Sequence, residues 1–598
     1  MAENLQGETI CRKICVHLKR AHKGKDLFFG LSLAAILLTS CGIGNGGSGG
    51  GSAGVSNEPF LTELALSAGT LVPPFNKNTT TYTATVPFLT PTTTVTAIPT
   101  DPTDTVTATV NGNVGSLTAP VSLAEGANTI DVKVTNVGGT PKVYTVSVTR
   151  QSAASFGLQA YAKASNTNAG DEFGYSVALS GDTLAVGAPF EDSNATGING
   201  DQSDTTAPNA GAVYVFVRSG IMWSYKDYIK ASNTDGGDNF GSSVALSGDT
   251  LAVGAPFEDS NFKGIDAGHG VGQDNNFAGD SGAVYVFTRD SSGAWTQQAY
   301  VKGSDNSKND QFGSSVSLDK DTLVVGAPTN GKVYMFNRSD TTWTQQGYFN
   351  PSGMGFGSSV SVSGDTAAVG APLESSNAIG INGDPNNTSA PNSGAVFTFV
   401  RTGVTWSQEA YIKASNTDAH DLIGDRFGTS VALSGDTLAV GAPLEDSNAR
   451  GVYPTGQNDS VQNDNSAANA GAVYVFTRDN SGWLQQAYIK ASNSLAGDEF
   501  GWSVALDNED LAVGAKTSSG NDGAAYVFIG SGSSWAEEIY LTAFNADSLD
   551  EFGYSVALDG GTLAVGAPLE DSNATGVNSS GGEADNSAAD AGAVYVYQ

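Results

Sequence analysis

One pattern of residues occurs seven times between Phe173 and Tyr597. Each copy begins with Phe-Gly, runs into Val-Gly-Ala, crosses a loop of variable length and reaches a run of the Ala-Val-Tyr-Val-Phe type. A unit of several strands repeated in this way is typical of radial or stacked arrays, because each unit buries its apolar faces against its neighbours. The seven pairs are Phe173-Gly174, Phe240-Gly241, Phe312-Gly313, Phe356-Gly357, Phe427-Gly428, Phe500-Gly501 and Phe552-Gly553.

Each copy has the strand content of one propeller blade. In the first copy the alternation of residues predicts strands over 175–179, 183–186, 212–217 and 223–230, with a tight turn after the first and a Pro ending the second. Four antiparallel strands per unit are typical of a β-propeller. We therefore predict an all-β chain whose main domain has seven blades.

The last blade requires a strand from elsewhere in the chain. Six copies contain a strand in which Trp stands five residues before Tyr, but the seventh copy stops at Gln598 after its third strand. Phe156 stands five residues before Tyr161, ahead of the first copy. We expect 156–163 to complete the seventh blade, because this join removes the open edges of a linear array.

The Phe-Gly and Val-Gly-Ala-Pro pairs resemble the FG-GAP repeat of integrin α-subunit propellers and their bacterial relatives. The resemblance implies a seven-bladed propeller over 156–598 of a kind used in surface recognition. Many members carry an acidic calcium loop between the first two strands of a blade. The corresponding turn here is Ser180-Gly181-Asp182-Thr183 or a close variant, so the resemblance does not carry a calcium site to this chain.

A second domain precedes the repeats. Alternating Val and Thr runs within 57–150, separated by Gly, Pro and Asn, predict a small β-sandwich. Two sets of residues in it, the phrases given below, resemble the sequence of the bacterial cadherin-like β-sandwich, which implies a spacer or adhesion module. The acidic residues that would form cadherin calcium sites have no matching set in this sequence. The phrases are Leu61, Leu64, Gly69, Leu71, Pro74, Phe75 and Tyr82, and then Gly126-Ala127-Asn128-Thr129-Ile130.

The N-terminus has the features of a secretion signal. A basic stretch and an apolar segment over 27–38 end in Leu38-Thr39-Ser40-Cys41, which resembles the lipobox of bacterial lipoproteins. The resemblance implies a signal peptide over 1–40, lipidation of Cys41 and a flexible Gly/Ser linker over 41–56. We expect a bacterial envelope protein, in the outer membrane or at the cell surface, that contacts the membrane only through its lipid. The alternative is an ordinary signal peptide with an incidental Cys.

Charge narrows the range of partners. The formal net charge is −33, and without residues 1–40 it is −36, from 22 basic and 58 acidic residues. Such a surface repels nucleic acid. All three Cys precede residue 42, so the folded region has no disulfide or Cys nucleophile. We expect a monomer with no required cofactor.

Long loops follow the second strand in five blades, after Pro189, Pro256, Pro372, Pro443 and Pro568. In a meander they all lie on one face, hereafter the long-loop face, where binding residues are expected. Their acids offer oxygen ligands for calcium, but Asp also makes turns with its own backbone, and we favour the turns because no known ligand spacing is present. The candidate ligand-binding acids are Asp192, Asp201, Asp204, Asp259, Asp274, Asp280, Asp446, Asp459, Asp464 and Asp571.

Two further features stand near the Phe-Gly pairs. Trp502 follows Phe500-Gly501 where most blades have a small residue, so we expect it at the mouth of the central channel. An Asp stands two residues before Phe in six blades, and we interpret it as a turn cap rather than as six active sites. These residues are Asp171, Asp238, Asp310, Asp425, Asp498 and Asp550.

Catalysis finds little support in the folded region. It has two His, His269 and His420, in separate loops, and no Gly-x-Ser-x-Gly elbow. The favoured hypothesis is a non-enzymatic, lipid-anchored protein that binds a protein or glycan through the long-loop face. The alternatives are a scaffold or spacer subunit of an envelope assembly and, ranked last, a hydrolase with its site on the acidic face.

Overall fold

The computed structural model describes residues 58–267, 272–351, 355–417, 424–454, 459–578 and 582–598. The predicted signal peptide, Cys41, the whole of the linker, His269 and His420 lie outside these residues. The described chain is all-β, with two short helices, α1 (Asp459–Gln462) and α2 (Ser518–Asn521), and 3₁₀ turns at Ala153–Ser155 and Pro328–Asn330. Within the described ranges no helix is long and apolar enough to cross a membrane.

The first domain is a small β-sandwich. Its largest sheet has the order β2-β9-β8-β5-β6, in which β2 and β9 run parallel. Two shorter pairs, β1-β4 and β3-β7, accompany it, and Tyr82, Val132 and Tyr144 belong to the buried core. The strands are β1 (Leu61–Leu66), β2 (Thr81–Val86), β3 (Thr92–Thr93), β4 (Val95–Pro99), β5 (Thr105–Val110), β6 (Asn113–Gly115), β7 (Val121–Ser122), β8 (Gly126–Thr135) and β9 (Pro141–Arg150).

The second domain consists of seven antiparallel sheets, one for each Phe-Gly copy. Blade one contains β11 (Ser176–Ser180), β12 (Thr183–Ala188), β13 (Ala212–Ser219) and β14 (Met222–Ile229), and blade two contains β15 (Ser243–Ser247), β16 (Thr250–Ala255), β17 (Ile265–Asp266), β18 (Ala283–Arg289) and β19 (Trp295–Val301). Blade three contains β20 (Ser315–Asp319), β21 (Thr322–Ala327), β22 (Lys332–Ser339) and β23 (Thr342–Phe349), and blade four contains β24 (Ser359–Ser363), β25 (Thr366–Ala371), β26 (Ala395–Thr402) and β27 (Thr405–Ile412). Blade five contains β28 (Ser430–Ser434), β29 (Thr437–Ala442), β30 (Gly451–Pro454), β31 (Ala472–Asp479) and β32 (Gly482–Lys490). Blade six contains β33 (Ser503–Asp507), β34 (Asp510–Ala515), β35 (Ala524–Ser531) and β36 (Ser534–Leu541), and blade seven contains β37 (Ser555–Asp559), β38 (Thr562–Ala567) and β39 (Ala593–Tyr597).

The ring closes between the two ends of the repeat region. The segment before the first copy forms β10 (Leu158–Ala162), which pairs antiparallel with β39 and places Tyr161 opposite Tyr595. The first strand of each blade contacts that of the next, and β37 contacts β11. The seven sheets therefore form a closed seven-bladed propeller, and β10 is the outer strand of the seventh blade.

Neighbouring blades touch through their backbones at two glycines of the repeat. Gly241, of the Phe-Gly pair, has φ +95°, and a Cβ there would lie 2.5 Å from the Ala212 carbonyl oxygen. A Cβ on Gly187, of Val-Gly-Ala, would lie 2.1 Å from the Gly241 carbonyl oxygen. Ser176 Oγ donates a hydrogen bond of 2.8 Å to that same oxygen. The Phe-Gly and Val-Gly-Ala signatures are thus the two sides of one contact between blades.

The sandwich packs against the end of the propeller that carries the tight turns. Phe88 of the sandwich meets Phe156 edge-on at 6.3 Å, and Phe156 stacks on Tyr597 at 6.2 Å. Pro87 lies so close to Gly561, in the first turn of blade seven, that a Cβ on that glycine would be 2.9 Å from the proline ring. The long-loop face is at the opposite end, because in a meander the two kinds of connection leave from opposite ends of the strands.

We expect Gly254→Ala to destabilise the propeller by about 1–3 kcal/mol, since its Cβ would lie 2.0 Å from the backbone oxygen of Gly313 and backbone cannot yield as a flexible side chain does. Denaturant unfolding followed by intrinsic fluorescence measures this change.

The matched control is Gly347→Ala, because that glycine has no atom within 4 Å of a built Cβ and no positive φ. Equal denaturation midpoints for the two variants would show that the blade contact has no special cost.

Candidate recognition face

Each long loop returns to the outer strand of its own blade. The loops add a fifth strand to two blades, where β17 pairs with β19 and β30 pairs with β32. In the other three they form single bridges, Ile198 to Ile229, Ile381 to Ile412 and Val577 to Ala162. The short loops of blades three and six leave the outer-strand tyrosines Tyr348 and Tyr540 49% and 44% exposed, whereas the equivalent tyrosines are at most 5% exposed. The long loops therefore cover sheet edges as well as the face.

The Glu that opens each long loop is buried against a Lys from the outer strand of the same blade. All five Lys side chains are fully buried, and so are the Glu side chains except Glu374, which is 10% exposed. The Nζ to carboxylate distances are 2.8 Å for Lys230–Glu191, 2.5 Å for Lys302–Glu258, 2.9 Å for Lys413–Glu374, 2.8 Å for Lys490–Glu445 and 2.6 Å for Lys163–Glu570. These glutamates are structural groups, not solvent-facing oxygens.

Further hydrogen bonds complete each pair, as blade one shows. Tyr228 Oη donates to Glu191 at 2.8 Å, the Ser193 backbone N–H donates at 3.1 Å, and Asn166 Nδ2 donates at 3.1 Å. Burial lowers the pKa of Lys230, and the neighbouring Glu191 opposes that shift. A buried ion pair is tolerated only when its remaining lone pairs and protons have partners, as they do here.

The sequence patterns described above did not predict these ion pairs, although the sequence contains a pattern that indicates them. Lys stands two residues after the outer-strand Tyr in the five blades with long loops. The same position is Asn350 in blade three and Thr542 in blade six, the two blades with short loops. Blade three supplies a different cation, Lys332, 3.1 Å from Asp310. Covariation of this Lys with loop length among the copies would have identified the pairs.

The second acidic residue of four long loops holds the far end of its own loop. Asp192 Oδ1 accepts the Asn209 backbone N–H at 2.9 Å. Asp259, Asp446 and Asp571 accept the equivalent N–H groups of Asp280, Asn469 and Asp590 at 2.7, 2.8 and 2.9 Å. The structure thus gives these candidate ligand residues a role in loop closure.

The remaining candidate acids are not brought together. Asp201 and Asp204 accept the backbone N–H of Ser203 and Thr206, both at 2.9 Å, in exposed Asx turns. Asp274, Asp280 and Asp464 are exposed, and Asp459 begins α1. In the described ranges no group of three or more His, Cys, Asp or Glu is placed to hold a metal ion. Calcium binding therefore stays a prediction from composition.

The Asp before each Phe-Gly caps a turn in several blades. Asp171, Asp310, Asp498 and Asp550 each accept the backbone N–H three residues earlier, at 2.8–3.2 Å, which confirms the turn-cap interpretation for these four blades. Burial and the nearby Glu258 raise the pKa of Asp238 to about 8. Burial likewise raises the pKa of Asp171 to about 8. At neutral pH these raised pKa values favour the protonated forms of Asp171 and Asp238.

Trp502, Tyr554 and Tyr175 each come directly after the Phe-Gly pair of one of three adjacent blades, and their rings form a row that we call the aromatic arc. The Trp502 ring centroid is 5.8 Å from that of Tyr554, which is 5.0 Å from that of Tyr175, and all three rings are partly exposed. Lys516 Nζ lies 4.1 Å from the centre of the Trp502 ring and 3.5 and 3.1 Å from the carboxylates of Glu499 and Glu551. The equivalent positions of blades two to five are Ser242, Ser314, Ser358 and Thr429.

The comparisons with known proteins agree with this architecture. The family model described as FG-GAP repeat matches seven segments, 156–216, 223–287, 295–340, 350–399, 406–453, 483–528 and 535–597. Together they cover more than half of the chain. The chain belongs to the FG-GAP repeat family. A second model, described as a cadherin-like beta sandwich domain, matches residues 61–151.

Both families are non-catalytic, and together they indicate a recognition or adhesion-type extracellular protein. No curated protein matches this FG-GAP chain. One solved structure with some likeness is a putative 6-phosphogluconolactonase from Bacteroides fragilis NCTC 9343, with 11% identity and a TM-score of 0.36, over 71% of this chain and 92% of that chain. A likeness of that size carries no argument about activity.

In this FG-GAP protein we expect Lys302→Met to lower the free energy of unfolding by about 3–5 kcal/mol, because it leaves Glu258 buried without its cation. Denaturant unfolding measures the loss.

The control for Lys302→Met is Asp249→Ala, which removes an ion pair of 2.8 Å to Arg289 in the same blade from a side chain that is 68% exposed. We expect it to cost less than about 1 kcal/mol. A similar loss in both variants would contradict a special role for the buried pair.

We expect Asp238→Asn to become increasingly stabilising as the pH rises. The folded pKa of Asp238 is raised to about 8, so the stability that its protonated form contributes is fully present below about pH 4 and is lost as the pH rises through 8. The Asn variant carries no titrating group there. Its stability relative to the unmodified protein should increase by at least about 1 kcal/mol between pH 5 and pH 8.5.

Thermal and denaturant melts at the two pH values measure this difference. Asp274→Asn, at an exposed carboxylate of the same blade, is the control. A pH-independent effect of Asp238→Asn would show that Asp238 is ionised in the folded protein.

Proposed function

We propose that this FG-GAP protein is a non-enzymatic, lipid-anchored protein of the bacterial envelope that binds a protein or glycan through its long-loop face. The anchor is Cys41, in the lipobox-like sequence, with the linker and the sandwich as a spacer. The protein acts as a monomer, touches the membrane only through its lipid, and requires no cofactor.

The aromatic arc of Trp502, Tyr554 and Tyr175 is the observation that carries this proposal. Trp and Tyr are enriched in binding surfaces because they bury a large area at a small entropic cost. The three residues stand just before the first strands of blades six, seven and one, at the long-loop end of those strands, and the arc lies beside Lys516 and its two glutamates. All four other blades have Ser or Thr at this position, so the arc is not needed to build a blade.

The position of the sandwich also favours this face. Phe88, Phe156 and Tyr597 join the sandwich to the tight-turn end, so the sandwich leaves the long-loop face uncovered. The buried ion pairs fix the starts of the long loops to the outer strands. This favours binding, because little conformational entropy is lost when a partner binds to loops that are already ordered.

Binding of the full chain to a glycan array and to a panel of immobilised mucins and matrix proteins tests the proposal. We expect at least one probe to bind. Trp502→Ala should weaken that binding about tenfold or more, since a buried interface Trp commonly contributes over 1 kcal/mol.

The control for Trp502→Ala is Tyr348→Ala, which removes an aromatic ring that is 49% exposed on the outer edge of blade three. Binding that is lost equally in both variants would place the contact outside the arc. Absence of binding to every probe, with one envelope protein copurifying in equal amount, would replace the proposal with the scaffold alternative.

A further inference from the structure

The segment that leads into blade four is shorter than its counterparts. From the outer-strand Tyr to the next Phe-Gly there are twelve positions in five of the connections, for example from Tyr228 to Phe240, and sixteen in one. From Tyr348 to Phe356 there are eight. Each of the other connections has Asn five residues after the Tyr, or Asp305 in one of them, and four read Ala-Ser-Asn at that point. Here Tyr348 is followed by Phe349, Asn350 and Pro351, and no Asn stands at that position.

In the other blades with long loops, the Asn five residues after the Tyr fills a space between the loop and the buried Glu. Its Nδ2 donates to the Glu carboxylate and to a loop carbonyl, and its Oδ1 accepts from a Tyr hydroxyl of the third strand. The distances to the carboxylate, the carbonyl and the hydroxyl are 3.1, 3.2 and 2.5 Å for Asn166, 3.2, 2.9 and 2.7 Å for Asn233, 3.0, 3.0 and 2.6 Å for Asn416, and 2.8, 3.1 and 2.6 Å for Asn545.

Blade four lacks both partners in this arrangement and has a cleft in their place. Phe397 stands where the other four blades have the Tyr, and the Asn is missing with the shortened connection. The cleft has a volume of about 640 Å³, and Glu374, Tyr411, Phe397, Leu373 and Gln408 are among the residues that line it. Glu374 is the one member of the five glutamates whose side chain is as much as 10% exposed, against 1–2% in the others.

The chemistry of the cleft determines what it can hold. Lys413 Nζ, 2.9 Å away, already neutralises the Glu374 carboxylate, so a neutral donor suits this site better than a second cation. The ring of Phe397 offers no hydrogen-bond donor, so a carboxamide oxygen placed like that of Asn166 would lose its partner there. A hydroxyl group can donate to the carboxylate without placing a separate carbonyl oxygen beside Phe397.

Amide groups and apolar surfaces surround this carboxylate. Gln408 and Asn382 are both exposed at the cleft. Ala410 stands where blade one has Asp227, which accepts from the equivalent Asn199 Nδ2 at 2.8 Å, so that acceptor is missing for Asn382. Leu373, which is 38% exposed, supplies more of the apolar lining of the cleft than Phe397, which is 5% exposed. A ring with several hydroxyl groups around its edge and apolar C–H groups on its faces matches this mixture of surfaces.

We propose that the blade-four cleft is a saccharide-binding site in which a sugar hydroxyl donates to Glu374, the Gln408 and Asn382 amides bind neighbouring hydroxyls, and the sugar ring packs on Phe397 and Leu373. The volume suits a mono- or disaccharide. This inference rests on the proposed recognition function, because the cleft lies on the long-loop face, and it specifies a glycan as one ligand of that face.

Saturation-transfer NMR of the full chain with glucose, galactose, mannose, rhamnose, N-acetylglucosamine and N-acetylgalactosamine tests the site. We expect transfer to at least one sugar. Leu373→Trp, which fills the cleft, should abolish that transfer. Gln408→Ala should weaken binding about fivefold, the effect of one lost hydrogen bond.

The matched control is Leu444→Trp, the same substitution at the equivalent position of blade five, where Asn416 occupies the space. Transfer retained by the control and lost in Leu373→Trp supports the site. Absence of transfer to all six sugars, or unchanged transfer in both Leu373→Trp and Gln408→Ala, overturns it. Binding on the arrays that depends on Trp502 would then still support recognition through the face, so the two proposals can fail separately.

Discussion

Adjacent blades of this propeller meet backbone to backbone, and the rest of the molecule depends on that contact. Gly187 approaches the Gly241 carbonyl oxygen so closely that even a methyl group would overlap it, and Ser176 donates a hydrogen bond to that oxygen. Because each blade repeats the arrangement with its neighbour, the spacing of the blades is set by main chain rather than by adaptable side chains. The loops can therefore vary in length and sequence without changing the ring that supports them.

The buried Glu–Lys pairs connect that rigid ring to its variable face. Each pair joins the start of a long loop to the outer strand, and Tyr, Ser and usually Asn complete its hydrogen bonds. Removing two charges from water is costly, so such a pair specifies one arrangement more than it adds stability. Where a blade has no long loop, the outer-strand Lys is absent as well, as at Asn350 and Thr542. Blade four keeps the pair but not the Asn, and a cleft results.

Much of the fold could be predicted from local pattern. The strand alternation, the tight turns and the spacing of Trp and Tyr predicted four strands per blade and a seven-bladed ring, and they placed a strand near Tyr161 to complete the last blade. The site was predicted less well. The acids were considered as a group, whereas the structure separates buried Glu191 from Asp192, which closes the loop, and from exposed Asp201. Burial of that kind is not visible in composition, since all three are acids in similar Gly- and Asn-rich surroundings.

The sequence by itself determined the number of blades, the strands within them and the glycines at their contacts, because these follow from short-range periodicity and from the steric needs of single residues. Only the tertiary structure decided which charges are buried, where the aromatic arc forms and which blade carries a cleft. Lys163 and Glu570 are 407 positions apart, and Trp502 and Tyr175 come from opposite ends of the repeat region. Closing the ring brings such residues together, so their chemistry depends on partners that no local stretch of sequence contains.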